Sequence, residues 1–372
     1  MGDELGRARL LLVLGVLVAL TAVAVVVGSV RGTLPRLADV PGLSGLPGVG
    51  PGSELEAAVA MAPADAVRFS WTDWAGVREE LDLDPPTNPS TGDVEELLDA
   101  AFDADLSTTT ALGESAVTSQ AALGFSPATL SWELFSQGEQ GALVTMGLAD
   151  ESAATLVEDR LRQAGFTPPE DETGVWRGGP DVLAGLGQLS PELSFVAVDA
   201  EELVVRSSDA SAYLQRAVDT EPPDPGQGVA DVVGTLADAG PPLSAAVFDS
   251  AVACSSLAMA SADQAAQEQA RTLLAAAGPV DPLAGFGLAV QPGGGATAAL
   301  AFESDDQARE NADTRATLAS GPAPGQGGDF ADRFSLGSTV AEGRVVTMEL
   351  EPTEDARVLS DLSSGPVLFA TC

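Results

Sequence analysis

Apolar and polar positions change rhythm several times along this chain, and each change marks an element. The first run, residues 10–30 (LLLVLGVLVALTAVAVVVGSV), holds 21 residues and no charge. As a helix it has the length to cross a hydrocarbon core of about 30 Å. Arg7 and Arg9 precede it and Arg31 and Arg36 follow it, so the flanking charge does not orient it. The layout does: a short tail at 1–9, one apolar helix, then a long body. It predicts a single-pass cell-membrane anchor with a cytoplasmic N-terminus and an extracytoplasmic body. Ala22-Val23-Ala24 has the small-x-small form of a signal cleavage site, which makes a cleaved signal the rival reading. The run continues through Val27, longer than a signal core needs, and so favours an anchor. Residues 31–53 are dense in Gly and Pro and read as a spacer.

Beyond the spacer the periods alternate between two and about 3.6, in an order that recurs. In 54–220, strands are expected at 66–71, 130–135 and 142–148, with a helix over 94–102. A helix over 151–165 follows, with Ala154, Leu156, Val157, Leu161 and Ala164 as its apolar stripe. A hairpin of 193–198 with 202–207 and a helix over 210–218, capped by Ser208 or Asp209, complete the unit. In 229–372, strands are expected at 243–249, 285–291 and 297–303, with the turn Pro292–Gly295 between the last two. Helices are expected over 262–277 and 305–318. A hairpin of 334–341 with 344–350 turns at Glu342-Gly343, and a helix over 353–362 closes the chain. The fold class expected is α+β: an N-terminal transmembrane helix, then two tandem related units of mostly antiparallel sheet with helices on one face.

Composition narrows the chemistry. The chain has 372 residues, with 17 basic against 55 acidic side chains, for a net charge of −38. Every basic residue is Arg; Lys and His are absent. Beyond residue 52 there are 13 Arg and 52 acids, so the body alone carries −39. Such a surface repels phosphate backbones and anionic headgroups, which argues against a nucleic-acid partner and for a body standing off the membrane. Without His there is no Ser-His-Asp triad, Cys-His pair or His-ligated metal, and without Lys no Schiff base or P-loop lysine. No cofactor is expected.

The candidate sites follow from what remains. All four Trp lie in the first unit, and Phe69-Ser-Trp-Thr-Asp-Trp74 is the most distinctive local run. Trp71, Trp74 and Trp132 are the candidate ligand-binding residues, as an aromatic platform. Trp71 alternates with Phe69 and Val67 and fits core packing as well, whereas Trp74 breaks that alternation and is the one expected to be exposed. Asp82, Asp84, Asp93, Glu95 and Glu96 surround a Pro-rich loop but lack the order and central Gly of an EF-hand. Helix capping by Thr91 or Asp93 explains them more simply, and no metal site is expected. Paired carboxylates for glycoside hydrolysis are available in number, yet no motif selects a pair, and no catalytic residue is named. Cys254 and Cys372 can form one disulfide in an oxidising compartment, or remain as a buried and a terminal thiol.

In its layout the chain resembles a broad group of membrane-anchored extracytoplasmic proteins of high-GC bacteria. The features shared are a short tail, one helix, a Pro/Gly spacer and an Ala-rich, Arg-only acidic body. The resemblance implies association with the cell envelope and transfers no functional residue. The function expected is a non-enzymatic envelope module binding a partner protein, a glycan or a lipid-derived ligand. The alternative is a carboxylate-dependent extracytoplasmic hydrolase.

Overall fold

The computed structural model describes residues 53–170, 174–220 and 224–372. The expected anchor at 10–30, with its tail and most of the spacer, lies outside them. Among the described residues no helix is long and apolar enough to cross a membrane. The transmembrane part of the fold class, the membrane as partner and the single-pass localisation therefore have no support here and are dropped.

The body is α+β, with an extensive antiparallel sheet and packed helices. In chain order the elements are α1 (Glu54–Val59), β1 (Ala66–Thr72), α2 (Trp74–Glu80), α3 (Thr91–Asp103), α4 (Ala116–Leu123), β2 (Trp132–Gly138) and β3 (Gly141–Gly147). Next come α5 (Glu151–Ala164), β4 (Val175–Arg177), α6 (Gly179–Leu186), β5 (Phe195–Asp199), β6 (Val204–Ser208) and α7 (Ser211–Asp219). The rest are α8 (Gln227–Asp238), β7 (Ser244–Asp249), α9 (Gln264–Ala277), β8 (Gly285–Val290), β9 (Ala296–Ala301), α10 (Asp305–Ala319), β10 (Phe334–Glu342), β11 (Val345–Pro352) and α11 (Val358–Leu362).

The two expected units do not fold as separate sheets. Among the described residues, eleven strands join one sheet in the order β10-β11-β9-β8-β7-β1-β2-β3-β6-β5-β4. Its middle is the antiparallel pair of β1 with β7, from Arg68↔Phe248 to Thr72↔Ser244. Outward from that pair, β2-β3-β6-β5 on one side stand in the same order as β8-β9-β11-β10 on the other. Residues 54–372 form one compact unit.

Helices cover both faces rather than one. Alternation along the strands divides the core. On β7, Ala246 and Phe248 face the larger cluster, while Ala245 and Val247 face a second one under α1 and α8. Helix α8 presents Val229, Val232, Val233 and Leu236 to that second face, the i, i+3, i+4, i+7 spacing of an apolar stripe. The strands beneath it carry small residues: Ala245, Ala289, Ala299 and Ala301 are buried there. A Cβ at Gly287 would collide with Val232, so glycine is what lets the helix approach. A third cluster, with Leu143, Val175, Ala197, Tyr213 and Leu214, lies under α7.

The segment 367–372 is pinned in the larger core. Phe369 is fully buried, with its ring 5.2 Å from that of Phe330. The buried Arg315 guanidinium donates to Phe369 O at 2.9 Å and to Thr371 O. Cys254 and Cys372 are disulfide-bonded, with Cα atoms 5.3 Å apart.

Candidate functional site

Two of the three candidate tryptophans lie in the core. Trp71 is 2% exposed, and its indole donates to Pro242 O at 3.1 Å. Its ring stacks on half-buried Trp132 at 5.5 Å. Trp132 in turn lies over Gly147, where a Cβ would strike the indole. Trp74, expected to be exposed, is 0% exposed. It opens α2 behind Asp73, which caps the helix by accepting from Gly76 N at 2.8 Å. The three rings therefore build no open platform.

Trp74 is buried in the larger apolar cluster, and the partner of its indole N–H is a carboxylate 59 residues away. Its indole donates to Glu133 Oε2 at 3.0 Å. Thr110 Oγ1 donates to the same oxygen at 2.6 Å, and Ala111 N to Oε1 at 2.6 Å. Burial raises the Glu133 pKa, with these donors opposing it. Both oxygens are engaged within the protein, so Glu133 acts as a brace that fixes 110–111 against the sheet.

Those braced residues form one wall of a cleft of about 640 Å³. A second wall is α3, whose Val94, Leu97 and Ala101 are buried while Leu98, Asp99 and Phe102 turn to the cleft. The helix starts with a capping box between Ser90 and Asp93; the N-cap is Ser90, not Thr91 or Asp93. The capping bonds also lower the Asp93 pKa. The third wall is 188–191, tied across the cleft by Ser190 N donating to Ser115 Oγ at 2.6 Å. Phe102 is 56% exposed, the most open of the large apolar side chains among the described residues, and the Arg357 guanidinium lies 3.9 Å from its ring centre. The lining thus combines an aromatic ring, Leu98, Leu189 and Pro191 with hydroxyl groups and the carboxylates of Asp99 and Glu114.

No family model and no curated protein matches this chain. One solved structure is similar, crystal form I of TP0453, at 10% identity and a TM-score of 0.38, covering 82% of this chain and 96% of that one. The resemblance to membrane-anchored proteins of high-GC bacteria finds no counterpart in these comparisons or in the fold, which holds no membrane-length helix among the described residues. It is withdrawn.

The acids singled out around 82–96 do not converge on a cation site. Among the described residues no group of three or more His, Cys, Asp or Glu side chains is placed to hold a metal. The cleft escaped sequence reading because three separated segments build it. Its one readable signal was Phe102, an apolar residue off the buried stripe of α3.

Proposed function

We propose that this protein is a non-enzymatic binding module whose cleft beside Phe102 takes a neutral, hydroxyl-rich ligand, a glycan. The observation that carries this reading is the exposed Phe102 ring in a cleft whose lining combines Leu98, Leu189 and Pro191 with hydroxyls and two carboxylates. A sugar ring offers an apolar C–H face for an aromatic side chain and hydroxyls for acidic acceptors. A cleft of this volume suits a ligand of a few hundred daltons. The net charge of −38 favours a neutral ligand over an anionic one. The disulfide supports residence in an oxidising compartment, where such glycans are met.

The experiment is calorimetric titration of the full chain with a panel of neutral oligosaccharides, repeated on Phe102→Ala and Asp99→Asn. One sugar class should bind, and Phe102→Ala should weaken it about tenfold, the scale of one lost stacking contact. Binding that ignores both substitutions, or an empty panel, removes the glycan reading. Mass spectrometry of the incubated sugars separates the hydrolase alternative: cleaved product would overturn a non-enzymatic role.

A further inference from the structure

The two halves of the sheet end differently. Each closes with a hairpin, β5–β6 on one side and β10–β11 on the other. In the first half the outer strand of that hairpin is covered: β4 pairs with β5 at Val175↔Ala197, Trp176↔Val196 and Arg177↔Phe195. In the second half, among the described residues, β10 pairs with β11 alone. Among the described residues, no strand takes beside β10 the place that β4 takes beside β5.

Of the devices that blunt an edge, β10 carries a register shift and a terminal Glu342 but neither lysine nor proline. Residues 334–341, FSLGSTVA, contain no charge and no proline. Val340 is 52% exposed. A register shift between Leu336 and Thr339 interrupts the pairing with β11, and regular pairing resumes from Thr339↔Met348 to Glu342↔Val345. That regular stretch of four residues is long enough for a strand of three, the length of β4. Charge selects the occupant. Glu342, Glu349 and Glu351 are exposed on this hairpin, and the two flanking cations are already paired, Arg344 in its turn with Asp231 and Arg333 before β10 with Asp361. In the covered half, β4 reads Val-Trp-Arg, with two buried residues followed by the exposed Arg177.

We propose that the free edge of β10 accepts an extended basic segment of a partner protein as a twelfth strand, pairing along 339–342. Main-chain hydrogen bonds supply the affinity, and the glutamates select lysine or arginine side chains on the incoming strand. This surface is separate from the Phe102 cleft, and the inference does not rest on the glycan reading.

The test uses the full chain and a fluorescent ten-residue peptide of alternating valine and lysine, read by anisotropy and by amide hydrogen exchange. The Val/Lys peptide should bind and its Val/Glu counterpart should not. Amide protection should appear at 339–342. Val340→Lys, a change at an exposed position, should weaken binding at least tenfold, while Leu156→Lys, an exposed position on α5, should leave it unchanged. Equal binding by the Val340→Lys variant, or protection elsewhere, would overturn the assignment. So would a concentration-dependent dimer that Val340→Lys abolishes, because the edge would then belong to a second copy of this chain.

Discussion

Removing the cross-link between Cys254 and Cys372, by Cys254→Ser with Cys372→Ser, should cost stability mainly through the unfolded chain. The two residues are 118 apart in sequence. In the chain-entropy account, closing a loop of that size restricts the unfolded ensemble by about 5 kcal/mol at 25 °C. That is a large share of the roughly 5–15 kcal/mol by which a domain is stable. The native side should change little, because other contacts hold the same segment. Arg315 grips two of its carbonyls, Val367 N donates to Leu257 O at 2.8 Å, and Met259 N donates to Thr371 Oγ1 at 3.0 Å. Urea unfolding of the oxidised and double-serine proteins measures the difference. The serine form should unfold at lower urea with a steeper slope, since its unfolded state exposes more surface. A loss below about 1 kcal/mol, or an unchanged urea slope, would refute the reasoning and place the stabilisation in the native contacts.

Arg315→Met should destabilise by about 3 kcal/mol in the same assay, because it strips a charged donor from buried carbonyls of Phe369, Thr371 and Asp281. Burial raises the carboxyl pKa of Glu54, Asp73, Asp105 and Glu133. Each such group contributes most below its ordinary value, 3.8 for Asp and 4.5 for Glu, and loses that contribution as pH rises through the folded value. Thermal midpoints should therefore climb as pH falls from neutral through these raised values, and a flat or falling profile there would contradict the assignment. Exposed Asp93 and Asp150 have lowered values and act in the opposite sense, losing their stabilisation as pH falls through the folded value. Added sodium chloride should raise the midpoint at pH 7 by screening the −38 net charge, and a salt-independent midpoint would show that self-repulsion is minor.

Much of the body was legible because its strands and helices differ in period. The strands at 142–148 and 285–291 and the helix over 151–165 each lie within a few residues of the observed elements. Helix α8 carries a readable stripe too, Val229, Val232, Val233 and Leu236, but it follows directly on a Pro/Gly-rich stretch and is not among the expected helices. The last helix is shorter than its pattern, because Asp355, at a φ of 65°, sits in a turn before it. Trp74 broke the strand alternation for a local reason, since it begins a helix, and its partner Glu133 lies on another strand. No local signal specified that β1 would pair with β7. Pairing partners far apart in sequence are chosen by whole-sheet burial, and strands such as GFGLAV and ATAALA, buried along their whole length, read alike from either side.

The β1–β7 pair in the middle of the sheet has a further consequence. Either half alone would expose its inner strand as a second free edge. Two such halves meeting antiparallel through those strands would rebuild the same sheet as a bimolecular association. Carrying both on one chain, with only residues 220–226 between α7 and α8, sets the effective concentration of each half at the other by linker length instead of by expression level. Assembly of the central pair is thereby independent of dilution, and cutting the chain between those helices would make the stability of the sheet depend on protein concentration.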